Sequence, residues 1–155
     1  MMERLNRYAP PGMGISGIRS WTIGAIVVSA LFSVSFLLEY FSELNELRRN
    51  MEYPVYAGIT MTPFADLIIA PMAVFRLAPV VPLLFTPVNY LYFHQESKSI
   101  FLMKRLKSPW EMHIRCLVLP IFGMLLVIAA GAAVYGVYLL VYNVFTPEIL
   151  LPATL

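Results

Sequence analysis

The sequence predicts an all-α integral membrane protein with three transmembrane helices and a cytoplasmic amphipathic elbow between the second and third. Two observations carry that prediction. The 155 residues are 59% hydrophobic and only 13% charged, where soluble domains carry about 25% charged residues. The apolar residues also gather into long runs with no alternation, which excludes barrel strands. A net charge of +2 is too small to imply a nucleic-acid partner, and its distribution along the chain matters more than its sum.

Residues 1–20 form a leader rich in Pro and Gly, read as cytoplasmic, and residues 21–155 form one transmembrane domain. The leader contains G-x-G-x-x-G at Gly12, Gly14 and Gly17. That pattern marks a dinucleotide site only where it follows a buried strand and opens a βαβ unit. Here it follows Pro10-Pro11 and precedes an apolar run, so it reads as a loop. No signal-peptide cleavage pattern ends that run, which is expected to stay as an anchor.

The first span is expected over about 21–41, long enough to cross a core about 30 Å thick. Trp21 suits one interface, and Tyr40 with Phe41 suits the other. Gly24, Ser29, Ser33 and Ser35 are small residues that admit a neighbouring helix. Beyond the span, Glu43, Glu46 and Arg49 share one face of a short helical extension, read as solvated.

The block from Phe64 to Phe93 is interrupted by Pro71, Pro79, Pro82 and Pro87. Proline removes a donor and crowds the preceding turn, so one straight helix is excluded. The expectation is a short or re-entrant helix over 64–75, then a kinked crossing over 77–93. Asp66 and Arg76 are the candidate intramembrane functional residues, since ionisable groups at that depth need a reason. Against this, an arginine at the boundary snorkels to headgroups. The pair stands about 15 Å apart along a helix and meets only through a bend near Pro71.

The third span is expected over 117–142. Gly123, Ala129, Ala130, Gly131, Ala132, Ala133 and Gly136 give it a small-residue surface. Tyr135, Tyr138 and Tyr142 recur at i, i+3 and i+7 and share a face. Pro120 is expected to kink the entry.

Orientation follows from counting Lys and Arg. The leader holds Arg4, Arg7 and Arg19, and the first loop holds Arg48 and Arg49. The loop at 94–116 holds Lys98, Lys104, Arg105, Lys107 and Arg115. Cations favour the cytoplasmic side, which selects three spans with the N-terminus cytoplasmic and the C-terminus outside. Splitting 64–93 into two crossings would put the richest loop opposite the leader.

That loop also carries local structure. Ile100, Phe101, Leu102, Met103 and Leu106 alternate with cations in the manner of a surface helix. The motif Ser108-Pro109-x-Glu111 then supplies a cap, a proline at the first helical position and a capping-box carboxylate. A helix starting there and running to about Tyr142 is about 51 Å long and must emerge from the bilayer. The result is an elbow suited to docking a partner.

The stretch resembles the cytoplasmic coupling segment of ABC-2-type exporter permeases, the membrane subunits that work with an ATP-binding cassette ATPase. Glu96 and Lys98 resemble its opening, Leu102 and Met103 its aliphatic pair, and Leu106 with Pro109 its closing turn. A Gly-Thr pair frequent in the family stands here as Ser99-Ile100, and three spans replace the usual six. The resemblance implies a multi-pass cell-membrane subunit of a transport complex, acting as a homo- or hetero-oligomer. Its docking residues would be Glu96, Lys98, Leu102, Met103, Arg105, Leu106 and Pro109. The ATP chemistry would belong to the partner, since the chain has no P-loop pattern. The alternative is a non-transporting small membrane adaptor or assembly factor.

No enzyme, cofactor or metal is expected. His94 and His113 are read as solvated or interfacial, with no third group at ligand spacing. Cys116, the one cysteine, reads as a small apolar residue at the mouth of a helix.

Overall fold

A computed structural model describes residues 15–51, 60–94 and 109–147. In chain order the helices are α1 (Ile15–Ser33), α2 (Ser35–Met51), α3 (Phe64–Leu67), α4 (Ala73–Leu77), α5 (Val80–Leu83), α6 (Phe85–His94) and α7 (Pro109–Phe145). There is no strand among the described residues. Among the described residues three stretches are long and apolar enough to cross a membrane: Ser16–Arg49, Ala73–Leu91 and Cys116–Phe145.

The break between α1 and α2 and those from α3 to α6 have local causes. Between α1 and α2, the Ser33 hydroxyl donates to the Ala30 carbonyl at 2.8 Å. In an uninterrupted helix that carbonyl would accept from the Val34 N–H, which turns instead to Leu31 at 3.3 Å. A serine bonded back to its own helix in this way locally loosens the ladder. The break is one residue wide, so α2 carries the helix past the expected end of the first span to Met51. The segmentation from α3 to α6 follows the prolines: Pro79 is the residue before α5, and turns occupy 68–72 and 78–79. Pro120 lies inside α7 without ending it.

The chain forms two compact units, one from residues 1–27 and 77–129, the other from 28–76 and 130–155. In the first, the first half of α7 meets α1 and α5 at Gly123. A Cβ there would lie 2.9 Å from Thr22 Oγ1 and 3.0 Å from Pro82 Cβ. Hydrogen alone fits, so the glycine sets how closely these backbones approach. Trp21 meets Phe85 with ring centroids 6.4 Å apart.

The second unit has an aromatic core. Phe36 stacks on Tyr138 at 4.7 Å and meets Phe64 edge-on at 5.8 Å. Phe64 in turn meets Tyr135 at 5.3 Å and Tyr142 at 5.5 Å. Tyr40, Leu44, Leu47, Met61, Ile68, Met72 and Phe75 complete the cluster. The tyrosine face of α7 is thus a packing face: Tyr138 and Tyr142 are buried, while Tyr135 stays exposed beside Phe64. Small residues contribute here too, as a Cβ on Gly131 would lie 3.2 Å from the Phe75 ring. By contrast, Gly24 has nothing within 4 Å of where its Cβ would be.

Candidate functional site

The start of α7 carries the part of the expected docking site that lies among the described residues. Pro109 is the first residue of that helix. Its fixed φ suits the first turn, and its missing N–H is one the first turn leaves unbonded in any case. Glu96, Lys98, Leu102, Met103, Arg105 and Leu106, with the surface helix expected over 96–107, lie outside the described residues.

One turn into α7, a polar group forms within the first unit. The Tyr90 hydroxyl, from α6, lies 2.7 Å from His113 Nδ1, with the two rings 5.6 Å apart. Trp110 meets the His113 ring edge-on at 6.2 Å and is otherwise exposed at 74%. Tyr90, Trp110, His113 and Leu117 line an open groove of about 370 Å³. His113 is half-buried with a specific partner, so of the two expected settings, solvated or interfacial, the fully solvated one does not hold.

A second polar contact sits deeper in the same unit and solves a problem that Pro120 creates. Proline has no N–H, so the carbonyl four residues earlier, that of Cys116, loses its helical donor. Asn89 Nδ2 donates to that carbonyl at 3.3 Å. Asn89 and Cys116 are both fully buried, and the thiol is free. Asn89 Oδ1 and the Thr86 hydroxyl one turn earlier on α6 are buried without a hydrogen-bond partner.

The second unit holds a chain of polar contacts around its aromatic core. Glu43 Oε1 accepts from both the Thr62 N–H at 2.8 Å and the Thr62 hydroxyl at 2.6 Å. The Tyr142 hydroxyl donates to the Thr62 carbonyl at 3.0 Å. Tyr40 and Thr146 share a hydrogen bond of 3.1 Å, and the Thr146 hydroxyl reaches Met61 Sδ at 3.8 Å. With Thr146 donating to the sulfur, the Tyr40 hydroxyl is the donor to Thr146. Ser33 and Tyr138 close a further pair at 3.0 Å. Glu43 is therefore an anchor for the segment before α3, where the sequence suggests a solvated face.

Asp66 and Arg76 are not brought together. Asp66 stands in the first turn of α3 and Arg76 in the last turn of α4, and both side chains are exposed. Among the described residues no three of His, Cys, Asp and Glu gather as a metal site. Sequence reasoning passes over Asn89, Tyr90, Trp110, Thr62 and Thr146. For Asn89 a signal exists, because Pro120 announces an orphaned carbonyl at Cys116. It does not say which residue answers it. Comparison with protein families, with curated proteins and with solved structures gives no match.

Proposed function

We propose that the chain is an integral membrane subunit of an ATP-binding cassette transport complex of the ABC-2 type. In this reading it spans the membrane three times with its N-terminus cytoplasmic, and residues 96–107 dock a partner ATPase. The observation that carries the proposal is the start and length of α7. It begins at Pro109 and runs for 37 residues, about 55 Å against a hydrocarbon core of about 30 Å. Its first turns therefore leave the bilayer directly beside the segment that resembles the family's coupling stretch. Force received by that segment passes into a helix that crosses the membrane. The open space at Gly24 and Gly136 supports association with other spans, as a three-span subunit of such a complex requires.

The test is capture in mild detergent of the intact chain and of a Leu106→Glu variant, with bound proteins identified by mass. The proposal expects an ATP-binding cassette ATPase with the intact chain and not with the variant. Recovery of no such ATPase from folded chain overturns it. The second reading, a non-transporting adaptor, is favoured by the paired hydroxyls of the second unit: Ser33 with Tyr138 and Tyr40 with Thr146. Side chains that satisfy each other offer little to a cargo, and that reading expects a different captured protein.

A further inference from the structure

The segment from α3 to α4 stays helical enough, across Pro71, to have two faces. Ile68, Met72 and Arg76 each donate a backbone N–H four residues back, to Phe64, Ile68 and Met72, at 3.1 Å. Ile68, Met72 and Phe75 turn inward to the aromatic core. Asp66, Ile69, Ala73 and Arg76, spaced i, i+3, i+7 and i+10, share the outward face and are exposed. The depth of that face follows from Phe75. A Cβ on Gly131 would lie 3.2 Å from the Phe75 ring and 3.6 Å from the Phe75 Cβ, so the two backbones are level there. Gly131 is central in the Cys116–Phe145 stretch of 30 residues, about 45 Å of helix. Wherever a core about 30 Å thick falls along it, Gly131 is at least about 6 Å inside, and about 15 Å when the core is centred. Arg76 follows Phe75 directly, so in a bilayer its backbone lies within the hydrocarbon, although it is only the fourth residue of its own apolar stretch.

A guanidinium at that depth needs an opposite charge, and the described acids of this chain stand elsewhere. Asp66 is close to Phe64, whose ring meets Tyr135 and Tyr142. Glu39 and Glu43 stand beside Tyr40, which pairs with Thr146 just past the end of α7. Glu46 lies a turn past Glu43 on α2. All four are nearer the Phe145 end of α7 than Arg76 is. A second copy inserted the same way up would carry its acids at those same levels. We propose that the face of Asp66, Ile69, Ala73 and Arg76 docks a membrane span of another protein, one that carries an Asp or Glu at the level of Arg76. Ala73, one turn before Arg76, lets that span approach closely, and the low dielectric there strengthens the ion pair. The inference rests on the chain crossing a bilayer and not on its docking an ATPase.

The test places a photo-crosslinking phenylalanine derivative in the full chain in place of Ile69, which is half-exposed on this face. Native membranes are irradiated and the adducts mapped by mass spectrometry. The expected adduct joins position 69 to a span of a different protein within about two turns of an Asp or Glu. A hydrogen bond to a charged group contributes enough that Arg76→Leu should lower the yield at least about tenfold. Arg76→Lys, which keeps the charge, should retain most of it. Arg76→Glu should abolish the adduct, and exchanging the partner's acid for Arg should restore it, which a variant that merely misfolds would not allow. An adduct with a second copy overturns the proposal, as does a protein adduct whose yield ignores these substitutions. Adducts with lipid alone also overturn it and would mean that the guanidinium reaches a headgroup. Leu106→Glu, which tests ATPase docking, should leave the adduct unchanged, so the two proposals fail separately.

Discussion

Asn89 and Pro120 form a pair whose members make sense only together. The proline withholds a donor from the Cys116 carbonyl, and Asn89 supplies one from α6 at 3.3 Å. Replacing Asn89 with Ala should leave a buried carbonyl unsatisfied and destabilise the fold by about 1–3 kcal/mol. In Pro120→Ala the backbone N–H returns to its helical partner, so the same asparagine substitution should cost much less in that background. Unfolding by denaturing detergent, followed by circular dichroism for the four members of this cycle, measures the coupling. Additive effects would mean that the asparagine bond carries no compensating role. Gly123 poses a steric question at the same scale. With Thr22 Oγ1 at 2.9 Å and Pro82 Cβ at 3.0 Å from the new methyl group, Gly123→Ala should cost about 1–3 kcal/mol through overpacking. Gly24→Ala, where nothing lies within 4 Å, should stabilise the single chain by up to about 1 kcal/mol through helix propensity. A gain of equal size at both glycines would show that helix propensity, which favours alanine, and not close approach governs the response.

At the scale of elements, Glu43 joins two pieces of chain that the sequence presents as separate. It sits in α2, and its carboxylate takes both hydrogens that Thr62 offers just before α3. Charge-assisted hydrogen bonds of this kind contribute about 1.5–3 kcal/mol each. Glu43→Ala should therefore speed amide exchange at Thr62 by about tenfold or more, while exchange in the first unit stays as it was. Uniform acceleration in both units would instead indicate global destabilisation. What could be read from the sequence divides along the same line. The sequence pattern over 108–111 predicts the start of α7 at Pro109, and a period of the chain predicts the shared face of Tyr138 and Tyr142, so both are legible locally. The role of Glu43 depends on a threonine 19 positions away, and that of His113 on a tyrosine 23 positions away. No local pattern encodes either partner. The helical extension expected beyond Phe41 runs to Met51, but that Leu44 and Leu47 pack into the aromatic core depends on partners distant in sequence.

For the whole molecule, the three apolar stretches among the described residues raise the question of where its two ends lie. An odd number of crossings places the ends on opposite sides of a membrane, and an even number places them together. The transport-subunit proposal puts the N-terminal end in the cytoplasm, as the cations of the leader and of the 94–116 loop lead one to expect under the positive-inside rule. The competing arrangement splits 64–93 into two crossings, but within it only Ala73–Leu91 is long and apolar enough to span. Cysteine labelling separates the arrangements because Cys116 is the one native thiol and is buried. In a Cys116→Ala background, an impermeant maleimide applied to intact cells should modify Ala153→Cys and leave Asn6→Cys unmodified until the cells are opened. Protection of both positions would support four crossings with both ends inside. Labelling of Asn6→Cys alone would invert the chain and remove the cytoplasmic setting on which residues 96–107 depend to reach an ATPase. That last result would sink the transport-subunit proposal without a partner ever being sought, because an ATPase that consumes cytoplasmic ATP cannot dock on the outer surface.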